Sequence, residues 1–441
     1  MRHRLWFGLA MWLAAGSAAA QLAPISDDPQ LRADHDALFA RVLKAPADAA
    51  LSRRYAELAA RMGDFEAGIG ALERVVLAHP DDWAAHLAIG EMYVRLGALE
   101  LARSAFERAS AVEAPEATRA RAAAFLIEIE RRLQPTGWSF SGQTGLRWQS
   151  NANAAPSSPL VRALGFDTSL PNTSLRKPDW NAFVQGSLRL VHDLENQRGD
   201  TIEAQLTGYY ARQFRLASLN AGVVEANLGP RLALEPDLLP GWSVRPYLLA
   251  SGVTLGDAPF AHAVGAGVTL AIPLGAILVE PGYEMHRRIF HTSSGMPTAA
   301  ESNGRWHNGF VTVSGTLPPG LRWFARLQAS RAEARADRQA HRAHGFDAGV
   351  AYGFAVPSLG RKWTLAPFVG WTHTRYDAPD PLVDPLRRRR DREWRLGVSL
   401  DAPVSDRLGF GITVQLVNNR STLPNYARRN VSVSFGPTLR F

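Results

Sequence analysis

The chain of 441 residues contains no cysteine. That absence excludes disulfide bonds, thiolate metal sites and a lipid-modified amino-terminal cysteine together. Beyond the first twenty residues there is also no run of about 18 apolar residues, so a helical membrane anchor is not expected. Catalytic signatures are missing too. The twelve histidines include no HExxH pair, and no GxSxG elbow occurs. Gly265-Ala266-Gly267 and Gly409-Phe410-Gly411 read as strand glycines, because neither runs into a glycine-rich turn before a helix. His341 and His344 read as solvated residues of a polar loop, and Ser314 and Ser399 have no base beside them in sequence. The expectation is a protein that is not an enzyme and holds no metal or cofactor.

Charge is only mildly one-sided. The formal net charge is +8, and removal of Arg2 and Arg4 with a leader leaves +6 (8 − 2). Without a recognition motif, so small an excess does not argue for nucleic acid. What is present at the amino terminus reads as a secretory signal over residues 1–20. Arg2, His3 and Arg4 form a basic start, Leu5 to Ala15 an apolar core, and Ala18-Ala19-Ala20 a small-residue cleavage site. In a cysteine-free chain this points to the periplasm or outer membrane of a Gram-negative cell. The length then suggests two domains.

After a polar lead over 21–30, the first domain is expected over 31–134. Its residues recur with a period of 34: Pro46 and Pro80, Ala56 and Gly90, Gly63 and Gly97, Ala71 and Ala105, and Leu72 and Phe106. This resembles the tetratricopeptide repeat, with small residues at Gly90 and Ala102, large ones at Tyr55, Tyr93 and Phe106, and Pro80 after a helix end. Two repeats are clear, Ala47 to Pro80 and Asp81 to about Ala114. A helix over Leu31 to Lys44 precedes them, and one over Thr118 to Leu133 lines one face with Ala122, Phe125, Ile129 and Leu133. Such solenoids engage peptides or partner proteins, and a spacer or plug is the alternative.

Pro135-Thr136-Gly137 ends the helices, and from 137 to 441 the texture is strand-like. The last stretch is the clearest. Val431, Val433, Phe435, Pro437, Leu439 and Phe441 alternate with Ser432, Ser434, Gly436, Thr438 and Arg440, so one face is apolar and the other polar. About ten such residues cross a bilayer when tilted, although an edge strand of a soluble sheet alternates as well. Phe435, Leu439 and the terminal Phe441 resemble the signal by which outer-membrane barrels are recognised for insertion.

Fourteen strands are expected, near 137–148, 180–193, 200–213, 221–234, 242–255, 260–272, 276–289, 305–317, 321–333, 344–356, 362–375, 391–402, 408–418 and 430–441. Faces such as Ile202-Ala204-Leu206 and Trp394-Leu396-Val398-Leu400 suit lipid, while Glu203, Arg326, Asp347 and Arg395 on the opposite faces suit a watery lumen. Connections alternate between short and long, as a barrel with both termini in the periplasm requires. Pro230, Pro246, Pro281, Pro367 and Pro437 then fall near the periplasmic strand ends, where a missing donor is best tolerated. Trp148, Trp180, Phe290, Trp306, Tyr376 and Trp394 are expected as one interfacial belt, and Trp138, Trp242, Trp323, Trp363 and Phe441 as the other. Arg387 to Arg390 read either as counter-ions to lipopolysaccharide phosphates or as a solvated loop beside Asp384 and Asp391. Gly142, Gly145, Gly436 and Pro437 read either as a weak pairing between the first and last strands that could open sideways, or as a proline merely tolerated at the periplasmic end, as the other strand prolines are.

The resulting fold class is α+β with two domains, a short tetratricopeptide-type solenoid followed by a fourteen-stranded antiparallel transmembrane barrel over 137–441. Together with Gln149 to Pro156, which carries Ser150, Asn151, Asn153 and Pro156 after the first strand, this architecture resembles the surface lipoprotein assembly modifier (Slam) family. The resemblance implies delivery of client proteins, typically surface lipoproteins, to the cell surface, with the solenoid in the periplasm engaging the client or a chaperone. Two other readings stand beside it. One is a polysaccharide-export porin whose solenoid recruits enzymes, and the other an outer-membrane hydrolase with a serine and histidine brought together across strands.

Overall fold

The computed structural model describes residues 29–441 except 112, 236, 237, 319 and 357–360, so the expected signal peptide and the lead from 21 to 28 lie outside the described residues. The chain divides into two compact units between Pro135 and Thr136.

The first unit consists of helices α1 (Pro29–Lys44), α2 (Ala49–Met62), α3 (Phe65–Ala78), α4 (Trp83–Leu96), α5 (Leu99–Ala109) and α6 (Glu116–Leu133). Helix starts follow capping chemistry: the Asp48, Asp64 and Asp82 side chains accept from the amides of Leu51, Ala67 and Ala85. Gly63 and Gly97 end α2 and α4 in the left-handed region, at φ 85° and 76°. The cap pairs and the end pairs therefore each recur 34 residues apart (82 − 48 and 97 − 63). Pro80 lies two residues beyond the end of α3, and its carbonyl meets His86 Nε2 at 2.9 Å. Ala102 and Phe106 are fully buried, and Phe106 stacks on Phe125 with ring centroids 4.7 Å apart. Tyr55 is buried against His35 and Phe39, while the Tyr93 hydroxyl donates to Glu73 at 3.2 Å.

The second unit is a closed antiparallel barrel of fourteen strands. In chain order they are β1 (Thr136–Gln149), β4 (Asp179–Asp193), β5 (Thr201–Gln213), β6 (Ala221–Ala233), β7 (Ser243–Leu255), β8 (Ala258–Leu274), β9 (Ile277–Phe290), β10 (Gly304–Leu317), β11 (Leu321–Ala332), β12 (His341–Val356), β13 (Arg361–Tyr376), β14 (Arg390–Pro403), β15 (Leu408–Ser421) and β16 (Arg428–Arg440). A small hairpin, β2 (Leu160–Ala163) with β3 (Phe166–Ser169), forms within the first long connection and was not expected from sequence.

Period two explains which way each side chain points. Leu206, Leu327, Val350, Leu396 and Ile412 are exposed on the outside, while Glu203, Asp347 and Arg395 are buried on the inside. Three details differ from the sequence reading. His341 and His344 lie in β12, not in a loop, because the strand starts three residues early and His341 is buried against the Tyr376 ring. Trp306 and Tyr376 alternate inward and are buried, so they do not belong to an outer aromatic belt. The connection between β15 and β16 is only 422–427, as the ladder extends to Ser421.

Candidate functional site

Inside the barrel, charged side chains pair across strands. Glu203 on β5 accepts from Arg231 Nε at 2.6 Å and Arg189 Nη2 at 3.3 Å, and the Arg245 guanidinium forms an ion pair with it at 3.2 Å. Three guanidiniums converge on this carboxylate, and Glu280 of β9 lies within electrostatic reach of Arg231 and Arg189. Nearby, the Tyr247 hydroxyl donates to Glu284 at 2.7 Å, and Arg245 lies 4.9 Å over the Tyr247 ring.

A second group sits astride β13. Asp347 on β12 and Arg395 on β14 flank Gly370 in the ladder and meet at 2.8 Å. They meet because glycine separates them: a Cβ on Gly370 would collide with both side chains. Arg395 also donates to Glu393 at 3.0 Å and Thr372 at 3.1 Å, and Arg428 approaches Glu393 at 3.6 Å. Arg326 stacks over Phe310 at 3.8 Å, and Arg147 over Tyr209 at 5.3 Å. Ion pairs held this deeply add little net stability over an apolar core. They give a polar, ion-lined interior.

At the end carrying the long connections, the loops are tied to one another. The β2–β3 hairpin joins loop 377–389 through Leu164 N to Leu382 O at 3.1 Å and Gly165 N to Val383 O at 3.0 Å. Arg162 Nε reaches the buried Asp384 at 2.6 Å, and Asn425 exchanges hydrogen bonds with the Arg162 backbone. Burial pushes the Asp384 carboxyl up, yet the Leu386 and Arg387 amides and the Arg162 guanidinium outweigh it and hold the group below the usual carboxylate range. Arg338 bridges Glu301 at 2.6 Å and Asp380 at 4.0 Å. The basic run Arg387 to Arg390 is divided. Arg389 is clasped by Asp391 and stacks on Tyr426 at 3.5 Å, Arg387 lies 3.8 Å from Asp384, and Arg390 begins β14.

The seam joins β1 to β16. Its ladder breaks where Thr144 and Gly145 face Pro437 and Gly436, and a Cβ on either glycine would land on the opposite backbone. The break does not single out the seam. Pairing also lapses where Pro230 faces Pro246, at Pro281 and at Pro367, since each proline lacks a donor. The expected special weakness is thus shared with three other places, and both ends of the seam are pinned. At one end Phe140 and Phe441 exchange backbone hydrogen bonds at 3.0 and 2.9 Å. At the other, Asn430 Oδ1 accepts from the Asn151 amide at 2.9 Å and Ser150 Oγ at 3.3 Å.

The segment after β1 makes that second pin. Buried Asn151 binds the Ala155 amide and carbonyl and the Arg429 carbonyl. Asn153 binds the Leu175 carbonyl and the Lys177 amide, each at 2.9 Å, and Pro156 follows as the chain leaves the turn. Of the terminal aromatics, Phe435 packs edge-on to Trp180 and Phe441 lies by Trp138, while Leu439 stands opposite Gly142. Sequence alternation found the inward charges but not their pairing, which depends on strand register. Of the loop contacts, those of Arg387 with Asp384 and Arg389 with Asp391 were suggested by the sequence, and the ties between separate loops were not.

A closed fourteen-stranded barrel with an apolar exterior and an ion-lined interior, preceded in the chain by a repeat-helical unit, has the architecture of a membrane β-barrel. The tetratricopeptide repeat family model matches residues 53–118. Among solved structures, PcrH from Pseudomonas aeruginosa is 21% identical, with 25% of this chain and 99% of that one covered and a TM-score of 0.19. An outer membrane channel from Pseudomonas putida F1 is 13% identical over 70% of this chain and 96% of its own, with a TM-score of 0.33. A bacterial polysaccharide outer membrane secretin is 11% identical over 69% and 98%, also at 0.33. Likeness at this level assigns no cargo. No curated protein matches the chain.

Proposed function

We propose that this chain is an outer-membrane translocation factor that delivers client proteins, surface lipoproteins first among them, from periplasm to cell surface. The observation that carries this reading is the joining, in one chain, of a repeat-helical unit to a closed barrel with a polar interior. A barrel alone needs no recruiting unit, whereas repeats of this kind build surfaces for partner proteins. The Slam-like segment at Ser150, Asn151, Asn153 and Pro156 supports the same assignment. In this reading the helical unit lies in the periplasm, engages the client or its chaperone, and performs no catalysis. The test is deletion of residues 31–133 with barrel insertion and surface display of lipoproteins both measured. Loss of display with normal insertion is expected. Unchanged display would reduce the helical unit to a spacer.

One observation favours a second reading, a polysaccharide-export porin. The three arginines around Glu203 would suit an acidic polymer. A deletion strain that retains its surface lipoproteins and stops secreting polymer would decide for it.

A further inference from the structure

Arginines face each other on the outside of the barrel at the end bearing the long connections. The register sets Arg331 opposite Arg342, Arg342 opposite Arg375, Arg375 opposite Arg390, and Arg392 opposite Arg420. All six alternate in step with outward residues such as Leu327, Phe346, Trp371, Trp394 and Leu416, so they stand on the lipid-facing side. Like charges directly opposite in a ladder are destabilising. Such a row calls for an anion.

The protein supplies one for Arg331, which meets Asp377 at 2.5 Å. Arg392 and Arg420 form no ion pair among the described residues. The strand acids beside them, Asp391 and Glu393, alternate inward and are taken by Arg389 and Arg395. Directly below the pair lies a groove of about 330 Å³, lined by Arg392 and Arg420 with Asn418, Trp394, Leu396 and Leu416. It is cationic and polar at its upper edge and apolar beneath.

We propose that this groove binds a phosphorylated, acylated glycolipid of the surrounding leaflet, its phosphates on Arg392 and Arg420 and an acyl chain along Trp394, Leu396 and Leu416. The inference rests on the reading of the barrel as lipid-embedded. Guanidiniums match phosphate by bidentate hydrogen bonding, and the aromatic and aliphatic floor matches a chain, so one amphiphile satisfies both halves. A free phosphate ion would leave the apolar half unused.

The test uses the full chain in detergent, with binding of bis-phosphorylated lipid A, dephosphorylated lipid A, phosphatidylglycerol and inorganic phosphate compared by native mass spectrometry. The heat-dependent electrophoretic mobility of a folded barrel is checked first for each variant; a wild-type chain that lacks it overturns the membrane reading itself. The expected result is preferential retention of bis-phosphorylated lipid A, weakened about tenfold or more in Arg392→Ala/Arg420→Ala. Arg361→Ala, at the opposite rim, should bind as the wild type does. If the double variant does not fold, the comparison of phosphorylated with dephosphorylated lipid on the wild type decides alone. Equal binding of those two, equal binding of phosphatidylglycerol, displacement by inorganic phosphate, or undiminished binding by a folded double variant would overturn the proposal.

Discussion

Gly90 decides how closely α4 and α5 approach. A Cβ built on it falls 2.7 to 2.9 Å from ring atoms of Phe106, which is itself fully buried and stacked on Phe125. The ring has nowhere to retreat, so Gly90→Ala should act as overpacking and destabilise the helical unit by about 1–3 kcal/mol. Gly70, inside α3, has nothing within 4 Å of its own hypothetical Cβ. There Gly70→Ala gains helix propensity without a clash, and stabilisation of roughly 0.5–1 kcal/mol is expected. Urea titration followed by helical circular dichroism should move the two variants in opposite directions; movement in the same direction would refute the packing account. Gly90 was legible from sequence because its role repeats every 34 residues. Gly370 was not, because its role depends on Asp347 and Arg395 from the two neighbouring strands.

At the scale of elements, all fourteen barrel strands were legible and the hairpin β2–β3 was not. Alternation marks a strand that must face two media, and a short hairpin held by loop contacts faces neither. The same cause hid the distant partner of Asp384, Arg162, whereas the neighbouring basic run that supplies Arg387 could be placed beside it from sequence. That carboxyl is held below its ordinary range, so its contribution to loop docking is fully present above the unfolded value of about 4 and is lost as pH falls through the lower folded value. Hydrogen exchange of residues 160–169, corrected for intrinsic rate, should therefore match at pH 7 and pH 5 and rise only below about pH 4. Asp384→Asn should raise exchange in this hairpin already at pH 7, while amides of β13 and β14 keep their protection. Equal exchange in variant and wild type would show that the backbone bonds at Leu164 and Gly165 hold the hairpin unaided.

For the molecule as a whole, the pairing of β1 with β16 carries the largest entropic cost, since it joins residues almost the whole barrel apart. Gln143 stands opposite Thr438, a separation of 295 residues (438 − 143). Thr316 stands opposite Arg322 in a hairpin, only 6 apart (322 − 316). Chain-entropy reasoning gives a cross-link at the first pair roughly 6 kcal/mol and at the second roughly 2 kcal/mol, because the constraint on the unfolded chain grows with the loop closed. The absence of cysteine makes the comparison clean: each double cysteine variant can form only the intended intramolecular bond. A pair at Thr144 and Ser434 would not serve, as Ser434 faces Arg147 and Thr144 falls in the break beside Pro437. Oxidised Gln143→Cys/Thr438→Cys should unfold in detergent at a clearly higher temperature than its reduced form, and the Thr316→Cys/Arg322→Cys barrel should gain much less. Closure also bears on the proposed client delivery. The seam has the same proline-linked break as three other places and is pinned by Phe441 at one end and Asn430 at the other, so the locked barrel is expected to display clients as the reduced one does. Display that stops on oxidation and returns with reductant, in the seam variant alone, would mean that clients leave sideways between β1 and β16.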